Sequence, residues 1–332
     1  MFGALPGCTV DAHSSCWRRG TDDQTSIPAG LVVLLVALPI PEMANADERI
    51  VAFGDSLGDP GNAFALIRTN ETAPFDPIPG APYARGGHHF SDGETWIEQL
   101  ARALHLGRSA GPAFRVPGVF SNYAVGGARA RGVSATDLSP QVSRFLADFG
   151  GVAPSDALYI IHIGGDDLRD AVEALASDPS GATSAAIVGA ALAAIQTNIE
   201  RLAEAGAQTF LVPNAPNLAL VPALLGLPQP VRDASTALSV AFNTGLDAIL
   251  SGVEALGLTV ARLDIFELFT AIAGDPAAFG FVEVAQPCIT PFTKVRPFCS
   301  LPDEFVFWDF IHPTRAGHAL IAEAALAALS AP

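Results

Sequence analysis

The sequence is short of positive charge and of metal-binding motifs. It holds 18 Lys and Arg against 34 Asp and Glu, which gives a net charge of −16, and Lys294 is its only lysine. Such a balance repels phosphate backbones and anionic membrane surfaces, so we expect neither nucleic acid nor such a surface as a partner. The late cysteines have no histidine nearby at the spacing of a zinc site, so we expect no metal.

No N-terminal apolar run is long enough to anchor the chain permanently in a bilayer. Residues 31–38 are apolar, whereas a spanning helix needs about 20 residues. Arg18-Arg19 precede this run and Ala44-Asn45-Ala46 follow it in a small-x-small pattern, which is typical of a secretory signal peptide. We therefore expect residues 1–46 to be an export segment, residues 47–332 to be one domain without an integral membrane span, and the protein to be secreted or periplasmic.

Cysteine is scarce, with four in the chain, and its placement agrees with export. Cys8 and Cys16 fall in the segment that we expect to be removed, whereas Cys288 and Cys299 bracket a proline-containing loop. An even pair in an exported protein predicts a disulfide between Cys288 and Cys299. The alternative is two free thiols.

Apolar residues make up 50% of the chain and charged residues 16%, so a large core can form. Short apolar runs bounded by Gly or Pro predict strands, and longer amphipathic stretches between them predict helices. The predicted strands are 50–53, 120–125, 157–163, 208–213 and 258–263, and the predicted helices are 62–67, 94–104, 141–149, 182–205, 234–256 and 314–329. This alternation favours an α/β fold with a parallel sheet covered on both faces.

The stretch Phe53-Gly54-Asp55-Ser56-Leu57 places a serine directly after the first strand. The carboxyl ends of strands in open α/β sheets are where ligands bind, so Ser56 is a candidate nucleophile. The alternative is an ordinary capping serine in a strand-to-helix loop.

A candidate acid and base stand near the other end of the chain. Asp309 and His312 are three residues apart, just before the last predicted helix. Because they share one loop, Asp309 can orient the imidazole while His312 takes a proton from Ser56. The pair His312-Pro313 can equally be a simple stop signal before a helix.

Two glycine pairs end other strands. Gly126-Gly127 allow a backbone N–H to approach a substrate closely, and Gly164-Gly165 are followed by Asp166 and Asp167. Both pairs can also be ordinary tight turns. Four polar motifs at strand ends nevertheless favour a shared site.

Taken together, these motifs resemble those of the GDSL, or SGNH, hydrolases, in particular the bacterial lipase/esterase and plant-type branch. The matching segments keep the order of that family across nearly all of residues 47–332: 53–57 with Asp59 and Gly61-Asn62, 90–93, 122–128, 163–167, 212–214 and 309–314. The resemblance implies a flavodoxin-like, three-layer α/β/α sandwich with about five strands. It also implies a serine esterase that uses neither metal nor cofactor.

By position, the resemblance assigns the residues of the site. Ser56 is the nucleophile and its backbone N–H the first oxyanion donor, with Asp309 and His312 completing the triad. Gly127 supplies a second N–H, and Gly126 is the fallback if the alignment is off by one. Asp55 and Asp167 are supporting residues whose carboxylates hold nearby loops.

Asp166 departs from the family pattern, which has an asparagine donor at this position. A carboxylate cannot donate, and at 4 Å an ionised one would cost about 4 kcal/mol at an effective dielectric near 20. Three arrangements remain: a protonated Asp166 that donates, a carboxylate turned away, or an oxyanion hole with two donors and reduced activity. We expect the enzyme to be active, and we expect the substitution Asp166→Asn to raise its kcat.

The predicted function is therefore that of an exported serine esterase or lipase acting on a small-molecule or lipid ester. The alternatives are an acyltransferase or phospholipase that uses the same triad, a carbohydrate deacetylase, and a noncatalytic surface or binding protein on a hydrolase fold. Two further histidines have structural interpretations: His162 in the core and His318 on the solvent side of the last helix.

Overall fold

The computed structural model describes residues 49–67, 88–289 and 299–331. In this part of the chain four regular strands form one parallel sheet in the order β1-β2-β3-β4. The strands are β1 (Arg49–Gly54), β2 (Ala157–His162), β3 (Thr209–Pro213) and β4 (Thr259–Leu263). Each lies within one or two residues of its predicted position.

The remaining predicted strand, residues 120–125, pairs with the outer edge of β1 without becoming a regular strand. Tyr123 N–H donates to the Ala52 carbonyl over 2.7 Å, and Val125 N–H donates to Gly54 over 3.1 Å. The Asn122 side chain accepts the Ala124 N–H over 3.0 Å, which removes that group from further strand pairing. Counting this segment, the chain order across the sheet is 2-1-3-4-5, so the flavodoxin-like prediction is confirmed.

Helices cover both faces of the sheet, as the sequence predicts. They are α1 (Asn62–Ile67), α2 (Trp96–Ala103), α3 (Leu138–Asp148), α4 (Gly165–Ala174), α5 (Ala182–Glu204), α6 (Pro222–Leu225), α7 (Gln229–Ala255), α8 (Ile265–Gly274) and α9 (Arg315–Ser330). Val51 and Phe53 of β1 face a core shared with α3, α4, α5 and α7. Ile50 and Ala52 point to the opposite face, where α2, α8 and α9 pack. Because successive side chains alternate between the two faces, β1 is buried on both sides, and the architecture is the predicted α/β/α sandwich.

Two of these helices, α5 and α7, are long and apolar enough to cross a membrane by length and composition alone. Their most apolar windows have mean hydropathies of 1.4 and 1.2. In the sandwich they lie against one another, with Leu192 on Gly245, and their inner side chains join the core. The helices inside a sandwich meet the same criterion, so the predicted absence of an integral span stays a prediction.

The sequence did not predict α4, α6 or α8, and it placed His318 wrongly. His318 was expected on the solvent side of α9 but is 1% exposed. It lies three and four residues before Ile321 and Ala322, which are also buried, so helical periodicity brings it to the inner face. Burial lowers the pKa of His318 to about 3, which keeps the ring neutral.

The predicted disulfide is confirmed, because Cys288 and Cys299 are joined. The export segment 1–46, with Cys8 and Cys16, lies outside the described residues, as does Lys294. Export therefore stays a prediction.

Candidate active site

Ser56 lies in the turn that follows β1, at the edge of the sheet where strand order reverses. β1 has the 121–125 segment on one side and β2 on the other, and Gly54 is paired in register with His162. The carboxyl ends of β1 and β2 therefore lie side by side, and ligands bind at this position in sheets of this strand order. The turn is held by the Gly58 N–H, which donates to the Asp55 carbonyl over 3.2 Å, and by the Leu57 N–H, which donates to the Asp55 carboxylate over 3.0 Å.

The structure brings Ser56, His312 and Asp309 into one hydrogen-bonded series. His312 Nε2 lies 2.7 Å from Ser56 Oγ, and His312 Nδ1 lies 2.7 Å from Asp309 Oδ2. The other oxygen of Asp309 accepts the backbone N–H of Ile311 over 2.9 Å and that of His312 over 2.7 Å. Since a carboxylate only accepts, Nδ1 carries a proton, and Nε2 of the neutral ring is free to accept one from Ser56.

Charge around His312 favours its protonated form. Burial alone lowers the pKa of His312, but the Asp309 charge and hydrogen bond, together with Asp166 and Asp55, more than offset that effect and raise the pKa. A base that holds a proton well is suited to take one from a serine and return it to a leaving alcohol.

In the turn at Gly126-Gly127 the first N–H is hydrogen-bonded, and the second has no acceptor in the described part of the chain. Gly126 N–H donates to Asp59 Oδ2 over 2.9 Å. Gly127 has φ = +80°, a conformation that favours glycine. Among the described residues no acceptor takes the backbone N–H of Gly127 or that of Ser56. The geometry therefore favours Gly127 over the fallback Gly126 as a second oxyanion donor.

Asp59 positions this turn, a role that sequence reasoning missed. Its buried carboxylate accepts the N–H groups of Gly61, Asn62 and Ala63 at the start of α1, at 2.5–3.0 Å, besides that of Gly126. Burial raises the pKa of Asp59 to about 6, against the opposing effect of these four hydrogen bonds. The signal was present, since an aspartate side chain often accepts backbone N–H groups two and three residues further on in a turn.

A second missed residue is Gln141 of α3, which is fully buried. Its amide accepts the Gly54 N–H over 2.9 Å and donates to the Gly54 carbonyl over 2.7 Å. The two bonds hold the end of β1 directly before Asp55 and Ser56. Nothing in the local sequence around Gln141 indicates this contact, because the partners are 87 residues apart.

Asp166 lies in the first turn of α4, which begins at the end of β2. Its carboxylate is 8% exposed and lies 2.7 Å from the Arg169 guanidinium, one helical turn further on. Burial raises the pKa of Asp166, while the positive charges of Arg169, Arg129 and His312 oppose the increase. The structure thus directs this carboxylate toward a cation within its own helix.

The two predicted supporting aspartates differ in their surroundings. Asp167 accepts the Ala130 N–H over 2.7 Å, which ties α4 to the loop that follows Gly127. Burial, with a further contribution from the Asp166 charge, raises the pKa of Asp55 to about 7. Burial raises the pKa of Asp167 as well, against the opposing effect of its hydrogen bonds from the Ala130 and Arg131 N–H groups and of the Arg131 charge.

The two remaining histidines near this edge do not join the relay. Trp96 Nε1 donates to His162 Nδ1 over 3.1 Å, and burial lowers the pKa of His162 to about 4, as fits the predicted core histidine. His89, 4% exposed, lies 2.8 Å from Glu98. Within the described ranges no group of three or more His, Cys, Asp or Glu side chains is arranged to hold a metal ion.

Comparison with solved structures adds a modest likeness. The chain resembles LAE5, an alpha/beta hydrolase enzyme from the metagenome of Lake Arreo in Spain, with 17% identity and a TM-score of 0.46 over 86% of this chain and 96% of that one. At that TM-score the likeness carries no weight of its own. The fold assignment rests on the strands and helices described above.

Sequence comparison gives closer relatives. A thermolabile hemolysin of Vibrio parahaemolyticus is 27% identical over 83% of this chain, and the match spans 62% of that protein's length. A GDSL esterase/lipase of Arabidopsis thaliana is 26% identical over 82% of this chain and 86% of its own length. Residues 50–325 match the model of the family described as GDSL-like Lipase/Acylhydrolase, and the chain belongs to that family.

Proposed function

We propose that the protein is a serine esterase that hydrolyses carboxylic esters through an acyl-enzyme on Ser56. One observation carries the proposal: residues 256 positions apart meet, with His312 Nε2 2.7 Å from Ser56 Oγ. The esterase/lipase named among its relatives supports the same reaction.

In the proposed reaction Ser56 Oγ attacks the ester carbonyl carbon while His312 Nε2 takes its proton. Asp309 keeps the ring oriented and stabilises the imidazolium. The charge that develops on the carbonyl oxygen is met by the N–H groups of Ser56 and Gly127. When the tetrahedral intermediate collapses, the C–O bond to the alcohol breaks and His312 gives the leaving oxygen its proton.

Water then completes the cycle. His312 deprotonates a water molecule, whose oxygen attacks the acyl carbon, and the second tetrahedral intermediate releases the carboxylic acid. Ser56 regains its proton from His312. Acid, base and nucleophile are all supplied by side chains, so each proton is accounted for without another group.

The test pairs ester hydrolysis with fluorophosphonate labelling. The wild type is expected to hydrolyse p-nitrophenyl esters and to take up one label, and Ser56→Ala is expected to take up none and to lose roughly 10⁴-fold or more in kcat. Ser251→Ala, on the exposed side of α7, is the matched control and keeps both properties. A label that persists in Ser56→Ala, or its absence from the wild type, favours the noncatalytic alternative.

The choice of acyl acceptor separates hydrolysis from acyl transfer. With an ester substrate and a competing alcohol, a hydrolase gives mainly the free acid, whereas an acyltransferase gives the new ester. We propose water as the acceptor, and a dominant transfer product would overturn that part of the proposal. A phospholipid included in the ester series tests the phospholipase alternative in the same assay.

Export belongs to the same proposal. The disulfide between Cys288 and Cys299 fits an oxidising compartment, and residues 1–46 have the composition of a signal peptide. The mass of the protein recovered outside the cytoplasm is expected to correspond to a chain that begins near Asp47. Recovery of the uncleaved chain from the cytoplasm would contradict this.

A further inference from the structure

Three consecutive residues, Phe90, Ser91 and Asp92, contact the loop that carries His312, although more than 200 positions separate them in sequence. The buried Ser91 hydroxyl donates to the Pro313 carbonyl over 2.9 Å. Asp92 Oδ1 accepts the Arg315 N–H at the start of α9 over 2.5 Å. Both bonds are made to residues that directly follow His312 in the chain. Residues 90–92 therefore hold the His312 loop at its C-terminal side.

The Phe90 ring reaches the imidazole itself. The centroids of the Phe90 and His312 rings are 5.3 Å apart, and their planes are inclined by 35°. Phe90 is 2% exposed, so water does not share this contact. One side of the histidine ring thus rests on an aromatic surface, while its ends bond to Asp309 and Ser56.

The same phenyl ring touches the proposed oxyanion turn. A methyl group placed on Gly126 would lie 2.3 Å from Phe90 Cζ, closer than any real contact, so the ring lies directly on the backbone of that turn. Phe90 also shares a small buried cluster with Ala63 and Val125. It is therefore in contact with both the histidine and the turn that must face one substrate carbonyl.

We propose that Phe90 is a positioning residue that fixes the His312 imidazole and the Gly126-Gly127 turn relative to Ser56, and that Ser91 and Asp92 fix the loop behind them. The inference rests on the proposed esterase reaction. Its physical reason is that the Asp309 bond restrains the imidazole only at Nδ1. A misplacement of about 1 Å at a reacting group can cost about 100-fold in rate.

The test compares Phe90→Leu with Phe210→Leu. Both phenylalanines are buried, but Phe210 lies in β3 and packs against Tyr159 within the core, away from the relay. For Phe90→Leu we expect kcat to fall by about 10- to 100-fold with KM changed less than about threefold, and fluorophosphonate labelling to become slower yet still reach one label. For Phe210→Leu we expect a lower melting temperature and an unchanged kcat.

Ser91→Ala keeps the inference testable if Phe90→Leu does not fold. It removes one hydrogen bond from the catalytic loop and leaves the aromatic contact in place, and we expect a smaller loss in kcat at unchanged KM. The inference is overturned if a folded Phe90→Leu, or Ser91→Ala where the former does not fold, labels and turns over at the wild-type rate. A wild type that takes up no label instead refutes the proposed function, so the two failures are distinguishable.

Discussion

At the scale of single residues, Asp166 stands where the resemblance to the family implies an asparagine, and a substitution there should help. The carboxylate is buried, its charge acts on His312, and it pairs with Arg169 over 2.7 Å within α4. That ion pair explains how a buried carboxylate is tolerated at this edge. It does not supply a hydrogen-bond donor to a developing oxyanion.

Asp166→Asn is expected to raise kcat at neutral pH. An amide can donate where the carboxylate cannot, and one oxyanion donor is worth about 10²–10³ in rate in a well-studied hydrolase, so a gain of about tenfold is reasonable. Arg169 keeps Asp170 and Glu173 within 3.7–3.8 Å, so it is not left without a counter-charge. Asp247→Asn, which alters an exposed ion pair with Arg262, is the control and leaves kcat unchanged. A clear loss of activity in Asp166→Asn would contradict the expectation.

The same variant should shift the pH dependence of kcat/KM. Neutral His312 is the proposed base, so activity is lost as pH falls through its pKa, which lies above the ordinary value of 6.5. Burial is the largest effect on the His312 pKa and lowers it, whereas Asp309 and then the Asp166 charge raise it. Removing the charge is expected to move the acid limb to lower pH. An acid limb that stays in place or moves upward would show that Asp166 does not act on His312.

At the scale of elements, Cys288 and the residue after it are hydrogen-bonded to the loop that carries His312. Cys288 N–H donates to the Phe307 carbonyl over 2.9 Å, and Ile289 N–H donates to that of Trp308 over 2.8 Å. Trp308 N–H in turn donates to the His312 carbonyl over 2.8 Å. The disulfide is therefore linked through these bonds to the loop of His312, the proposed base.

Cys288→Ser combined with Cys299→Ser is expected to lower the free energy of unfolding by about 3 kcal/mol. The bridge closes a loop with a sequence separation of 11, and cross-links of that size act mainly on the unfolded chain. Each kcal/mol corresponds to about 2–4 °C in Tm for a domain of this length. Dithiothreitol should lower the Tm of the wild type by a similar amount and leave the double variant unchanged. A wild-type Tm that does not respond to complete reduction would refute this.

At the scale of the whole molecule, buried acids near the site make stability depend on pH. Burial raises the pKa of Asp55 to about 7 and that of Asp59 to about 6, both above the ordinary 3.8. A group with a raised folded-state pKa stabilises the fold most below its unfolded pKa. That contribution is lost as pH rises through the folded value, here between about pH 4 and pH 7. The groups facing Asp55 are Asp166, Asp167 and His312.

Asp55→Asn is expected to gain stability relative to the wild type as pH rises from 5 to 8. The amide stays neutral, and its oxygen can still accept the Leu57 N–H. Buried histidines act in the opposite sense, since His162 has a pKa near 4 and destabilises the fold as pH falls below 6.5. Because they occur in both proteins, the difference in Tm between variant and wild type isolates Asp55. A difference that stays constant across this range would contradict the assignment.

The proposed base and the two buried acids should therefore respond oppositely to pH. The base needs pH above the His312 pKa, whereas buried Asp55 and Asp59 are least costly when protonated. The net charge of −16 adds self-repulsion in the same direction as the acids.

The sequence by itself determined the four regular strands, most of the longer helices and the positions of Ser56, Asp309 and His312. Strands buried on both faces read as apolar runs that end at Gly or Pro, and Asp309 and His312 belong to one loop, so both signals are local. The disulfide was readable for a similar reason, because it joins the only two cysteines that follow the predicted export segment.

Only the tertiary structure decided which groups surround the site. Gly54 is held by Gln141, which lies 87 residues further along the chain. The ring of His312 contacts that of Phe90, which is also distant in sequence from the loop. The 120–125 segment bonds to β1 through the Tyr123 and Val125 N–H groups, whereas the Asn122 side chain takes the Ala124 N–H between them. The contacts of Gly54 and His312 depend on side chains that only the folded chain brings together. A local pattern encodes periodicity and burial, but it carries no information on which distant group occupies the facing position.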